Sequence, residues 1–164
     1  MVIEVKARLR GFAEVEQKLR KMGALKESEG KEEGAYFESE GRGALCIISG
    51  GNAARLSLSS FNEEGGYSDI LVSPVADAPK LRRIFSKLFR AIANVKSEKK
   101  AYRFEGIEIW LSHIDLLGNF IMVRGEKKED AQRIFDLLDK LGLEPEQLVE
   151  DDFGELLTKS RSRM

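Results

Sequence analysis

Alternating segments joined by very short turns constrain this chain most. Ala44 to Ser49 and Ala53 to Phe61 meet across Gly50-Gly51-Asn52, and Lys99 to Phe104 and Ile107 to His113 meet across Glu105-Gly106. Leu117-Gly118-Asn119 then turns the chain into Phe120 to Arg124. Strands joined this tightly pair antiparallel, because a parallel crossover needs a dozen or more residues. Val2 to Leu9, Tyr67 to Ser73 and a short Tyr36-Phe37 segment bring the total to about eight strands. A set of antiparallel strands that size removes its edges by closing on itself. The expected fold class is therefore α+β, with a closed or nearly closed antiparallel barrel and flanking helices.

The first strand shows the two faces most clearly. Ile3, Val5, Ala7 and Leu9 alternate with Val2, Glu4, Lys6 and Arg8. The apolar face calls for helices, and the charged face for water or a polar cavity. Three helices supply the cover. Phe12, Val15, Leu19 and Met22 recur at helical spacing before Gly23. Asp77 caps a second helix with Pro79 in its first turn, and an apolar stripe runs from Leu81 to Ile92. A third helix starts near Glu129 and ends at Gly142, with Pro145 opening a short helix after it. The Gly- and Glu-rich stretch from Glu27 to Gly34 reads as a mobile loop. No internal repeat or linker divides the 164 residues. They read as a single domain, 1–164, with 159–164 expected to fray as a tail.

Charge and cysteine content exclude several classes. Lys and Arg number 27 against 28 Asp and Glu, so no nucleic-acid partner is expected of the whole chain. No apolar run reaches the roughly 20 residues of a membrane span. A charge at Glu4 comes too early for a signal peptide, and the single cysteine rules out an internal disulfide framework. These readings point to the cytoplasm.

The layout and local motifs resemble the CYTH family, which includes class IV adenylate cyclases and thiamine triphosphatases. The marks are Ile3-Glu4-Val5-Lys6-Ala7-Arg8-Leu9, the Leu-Arg-Lys-Met-Gly-Ala end of the first helix, and Leu116-Leu117-Gly118-Asn119-Phe120. A closing Leu141-Gly142-Leu143 and Phe153-Gly154-Glu155-Leu156-Leu157 complete the set. The resemblance implies an eight-stranded antiparallel barrel, a tunnel that holds triphosphates. It implies glutamates on the first strand that hold a divalent metal, magnesium or manganese, and a lysine that meets phosphate.

The chain departs from that pattern on strand after strand. The family's Glu-x-Glu-x-Lys reads Val2-x-Glu4-x-Lys6. Its Leu-Arg-Ile-Arg reads Leu45-Cys46-Ile47-Ile48, and an expected inward lysine is replaced within Leu56-Ser57-Leu58-Ser59. Leu111-Ser112 lacks an acid, and the last strand offers Met122 and Arg124 with Glu126 only near its end. The depleted positions all fall on the inward face. The resemblance thus implies phosphate contacts at Lys6, Arg8, Lys99, Lys100 and Arg124, and metal contacts, if any, at Glu4 and Glu126. Arg124 in place of an acid could pair with Glu4, turning a metal site into a salt bridge, and Arg55 or Arg103 could bring charge back.

Two functions stay open at this stage. One is a non-catalytic or weakly active binding module for a small phosphorylated or other ligand. The other is a metal-dependent enzyme acting on triphosphates. A homodimer is also compatible. Several residues have blander readings: Cys46 as a small buried hydrophobe, His113 at a strand end, Trp110 as packing with stacking as the alternative, and Glu150-Asp151-Asp152 as a solvated run.

Overall fold

The computed structural model describes residues 1–51 and 53–162. The strands are β1 (Val2–Leu9), β2 (Leu25–Phe37), β3 (Ala44–Gly50), β4 (Ala53–Asn62), β5 (Tyr67–Pro74), β6 (Ala91–Phe104), β7 (Ile107–Ile114), β8 (Gly118–Gly125) and the short β9 (Leu148–Val149). The helices are α1 (Ala13–Met22), α2 (Ala78–Leu88), α3 (Ala131–Lys140) and α4 (Phe153–Ser162). Every strand pairing is antiparallel, and the order β5-β4-β3-β2-β6-β7-β8-β1 closes through a β5–β1 pairing into an eight-stranded barrel.

Closure is uneven at β1. Its side facing β8 is paired from Ile3 to Leu9. Its other side pairs with β5 only through Val2, Ile3 and Glu4. Past that point β9 takes over, with Leu148 and Val149 opposite Ala7 and Lys6. A gap in the seam is thus filled by the C-terminal segment, which leaves few backbone groups on that edge unpaired.

The apolar faces lie where the alternation placed them. Ile3, Val5 and Ala7 join Ile109, Leu111, Ile121 and Val123 on the outer surface of the barrel. Val15 and Leu19 of α1 and Ile134, Leu137 and Leu138 of α3 cover them. Gly23 stops α1 in the left-handed conformation, φ 87°, which glycine adopts without steric cost. On the far side α2 lies over Phe37 and Ile47 through Leu81 and Phe85. Asp77 caps α2 by accepting from the Lys80 N–H at 3.0 Å.

Three expectations require correction. The stretch from Glu27 to Gly34 is strand, not mobile loop: β2 pairs with β6 from Leu25 opposite Arg103 to Phe37 opposite Ala91. The long β2–β6 ladder overrides the poor strand propensity of Gly and Glu, and Lys99 and Arg103 of β6 supply ionic partners to Glu32 and Glu27. The α2 stripe stops at Leu88, and Ile92 belongs to β6. The tail does not fray where it is described: Lys159 to Ser162 continue α4, while Arg163 and Met164 lie outside the described residues.

The fourth helix packs on inward-facing side chains. Leu157 is 2% exposed and sits with Val95, Ala101, Trp110, Ile114, Phe120 and Met122, flanked by Phe153 and Leu156. Phe153 meets Phe120 edge-on at 5.0 Å between centroids. Gly154 lies so close to Tyr36 that a Cβ there would come within 2.9 Å of the ring. The C-terminal helix therefore fills part of the barrel interior. Truncating Leu157→Ala should cost about 2–5 kcal/mol in chemical denaturation. An exposed, dispensable tail would show almost no change.

Candidate functional site

Closure fixes which side chains enter the tunnel. On β1 these are Glu4 and Lys6, on β4 Arg55, Ser57 and Ser59, and on β8 Met122 and Arg124. On β3 they are Ala44, Cys46 and Ile48, and on β2 Glu32, Gly34 and Tyr36. Cys46, Ile48, Ser57, Ser59, Ser112 and Met122 all line the tunnel. The free cavity between these walls is about 80 Å³. That is well below the roughly 300–1,000 Å³ of a typical small-molecule pocket. It has room for one compact group.

The charges inside are bound to one another. Arg124 Nε donates to Glu4 Oε2 at 2.7 Å, an internal ion pair. Arg55 grips Glu32 with two donors, Nη1 to Oε2 at 2.7 Å and Nη2 to Oε1 at 3.3 Å. Lys99 Nζ reaches the same Oε1 at 3.3 Å. All five side chains are largely enclosed, between 10% and 23% exposed. Charge-assisted contacts at this depth are stronger than surface pairs, and losing one partner leaves a buried charge uncompensated.

Trp110 stands at the centre of this network. Lys99 Nζ lies 3.7 Å, Arg124 Cζ 3.8 Å and Arg55 Cζ 5.3 Å from its ring centroid. The negative face of the indole helps hold three like charges close together. It is also the only tryptophan in the chain, so its fluorescence reports on this tunnel alone.

Lys6 differs from the other cations. It is 8% exposed, and among the described residues its ammonium makes no hydrogen bond or ion pair; the Phe153 ring lies 4.7 Å from Nζ. Burial lowers its pKa, against the opposing fields of Glu4, Asp152 and Asp151. For Glu32 burial pushes the carboxyl up, but the Arg55 hydrogen bond and the charges of Arg55 and Lys99 outweigh it and hold the pKa below its ordinary 4.5. Burial raises the Cys46 thiol to about 12, so it is an inert lining group, in contact with the Tyr36 hydroxyl.

One mouth of the tunnel is acidic. Glu4 and Lys6 open there toward Glu63, Glu150, Asp151, Asp152 and Glu155 around a space of about 320 Å³. The Asp152 hydrogen bond, burial and the charges of Asp152 and Asp151 push Glu155 up to about 7. The cluster read as a solvated run therefore forms part of the tunnel rim.

The sequence-derived candidates separate into two groups. Glu4, Lys6, Lys99 and Arg124 meet in the tunnel. Arg8 is exposed beyond it, over the Phe120 ring, donating to the Leu117 carbonyl. Lys100 alternates outward and pairs with Glu16 of α1. Glu126 is exposed past the end of β8 and does not line the tunnel. A divalent metal accordingly finds a poor donor set: Glu4 is held by Arg124, Glu32 by Arg55 and Lys99, and Glu126 is outside. Among the described residues no three His, Cys, Asp or Glu side chains group so as to hold a metal ion. The sequence reading missed Glu32, lost in the supposed loop, and took Asp152 as part of a solvated run. Alternation with Gly34 and Tyr36 would have placed Glu32 once β2 was recognised.

Known structures share this architecture. A Pyrococcus horikoshii protein superposes with a TM-score of 0.84 at 22% identity, over 95% of this chain and 99% of that one. A candidate adenylate cyclase from Vibrio parahaemolyticus gives 0.78 at 11% identity, over 96% and 97%. A candidate adenylyl cyclase from Hippeastrum, with a dominant triphosphatase activity, gives 0.65 at 15% identity, over 98% and 96%. No protein-family model and no curated protein sequence matches the chain. The likeness is one of fold.

Arg124→Ala should destabilise the protein by about 3–5 kcal/mol in urea titration, because Glu4 is left buried and unpaired. Glu32 adds a pH signature. Its folded pKa is depressed, so its stabilisation is complete above the ordinary value of 4.5 and is lost as pH falls through the folded value. The Tm difference between wild type and Glu32→Gln should be full near pH 6 and shrink steadily below pH 4.5. A difference that grows on acidification would contradict the assignment.

Proposed function

We propose that this chain, which has the CYTH-type fold, is a non-catalytic binding module for a small ligand carrying one phosphate or comparable anionic group. One observation carries the reading. Each strand-borne carboxylate in the tunnel is already spent on a tunnel cation, Glu4 on Arg124 and Glu32 on Arg55 and Lys99. Metal-assisted phosphoryl chemistry needs carboxylates free to hold the ion and a clamp for several phosphates. This interior offers neither, and its cavity of about 80 Å³ suits a single compact group. The acidic mouth disfavours a polyphosphate chain trailing through it.

Lys6 is the ligand contact in this reading. A largely buried ammonium offset only by the fields of Glu4, Asp152 and Asp151 is costly for the free protein, and an entering phosphate supplies a direct anionic contact. Ser57 and Ser59 add hydroxyls along the same wall. No metal takes part. The proposed setting is the cytoplasm, where Cys46 stays reduced.

Triphosphates offered with magnesium or manganese should show no turnover by phosphate release or cyclic-nucleotide formation. Turnover abolished by Glu4→Ala would sink the reading. Lys6→Met should remove the phosphate-dependent change in Trp110 fluorescence while leaving the Tm of the free protein unchanged or raised. A lowered Tm with unaltered phosphate response would make Lys6 a structural residue instead.

A further inference from the structure

Glu32 occupies its site in the way a bound anion would. Its carboxylate is held by both terminal nitrogens of Arg55 and by Lys99, on strands β4 and β6 that flank the tunnel. Lys99 and Arg55 in turn lie over Trp110. Two-pronged Arg contact with a further ammonium is how proteins grip external carboxylates and phosphates.

The fit is incomplete in one respect. Arg55 Nε is buried and has no hydrogen-bond partner among the described residues. A buried guanidinium donor without an acceptor is uncommon and carries a desolvation cost. Glu32 brings two oxygens, and both are already used. A tetrahedral oxyanion brings a further oxygen, so it could satisfy the donor that a carboxylate leaves over.

We infer that Glu32 is a placeholder in a phosphate-group site formed by Arg55 and Lys99 beside Trp110, and that an external phosphate group binds there by displacing it. The inference rests on the binding reading above and deepens it. It makes the tunnel self-occupied: the free chain closes its own anion site, and the ligand must compete with a tethered carboxylate. Such a competitor sets a threshold for affinity and selects phosphate over carboxylate ligands. The displaced Glu32 has an outlet on the side of Lys31, Glu33, Lys96 and His113, where it also borders a space of about 410 Å³.

The test uses the full chain with inorganic phosphate and acetate as probes, read by Trp110 fluorescence and titration calorimetry. Glu32→Gln keeps the shape and removes the charge; Glu32→Asp keeps the charge and withdraws it by one methylene. Glu32→Gln should bind phosphate at least tenfold tighter than wild type and prefer it over acetate by a similar factor, with Glu32→Asp in between. Adding Arg55→Gln to Glu32→Gln should abolish the gain. Should neither variant fold, the wild type carries the test: its affinity for sulfate must rise below pH 4.5, where Glu32 protonates, beyond any rise between pH 7 and 5 that comes from Glu155 at the rim. Folded variants that bind phosphate no tighter than wild type, or a wild-type sulfate affinity that stays flat or falls, would overturn the inference. Wild-type binding that is insensitive to Glu32 overturns this step and leaves the binding module standing. Binding seen only after Glu32→Gln shows that phosphate does not displace Glu32, and overturns both this step and the wild-type module.

Discussion

Closing the sheet sends every second side chain of eight strands into an enclosed space, and a charge enclosed there must find a partner. The interior follows from that constraint. Glu4 and Lys6 enter because Ile3 and Val5 must face α1 and α3. Arg124 enters beside Glu4 because the β1–β8 register sets the two residues directly opposite each other. Glu32, Arg55 and Lys99 enter from three other strands, and the single carboxylate binds both cations beside one indole ring. The tunnel is therefore a folded electrostatic network in its own right, and any ligand must exchange contacts with it.

Much of this was legible in the sequence, for a simple reason. Alternation has period two and short turns fix pairing direction, so Glu4, Lys6, Lys99, Arg124 and the substituted positions Cys46, Ser57 and Met122 could all be placed by parity. The Glu4–Arg124 pair followed from the same parity. What escaped was set by long-range pairing. β2 carries Gly and Glu where a strand ordinarily carries branched residues, and only the β6 ladder makes it a strand. Glu32 was invisible for that reason. Glu126 and Lys100 were misplaced by small shifts, one past a strand end and one on the wrong parity. The role of α4 was equally hidden, since nothing local tells Leu157 that its partners are Trp110 and Phe120.

Stability and binding pull in opposite directions at Lys6. The other tunnel cations have carboxylate partners, whereas among the described residues the Lys6 ammonium makes no ion pair and lies over the Phe153 ring. A residue chosen for stability at that position would be apolar, like its neighbours Val5 and Ala7. The acidic rim lowers the cost through the fields of Asp151 and Asp152, and it also sets an unfavourable field for highly charged ligands. These features together describe a site for one phosphate group, with modest total charge, closed at one side by α4.

The central claim is that this interior recognises an anion with its own cations and without a divalent metal. It is tested most directly by the affinity of the wild-type chain for a phosphate monoester, measured by calorimetry in EDTA and again in excess magnesium. The account predicts the same affinity in both, or a slightly weaker one with magnesium, which competes for the phosphate. Binding that appears only when magnesium or manganese is added would contradict it.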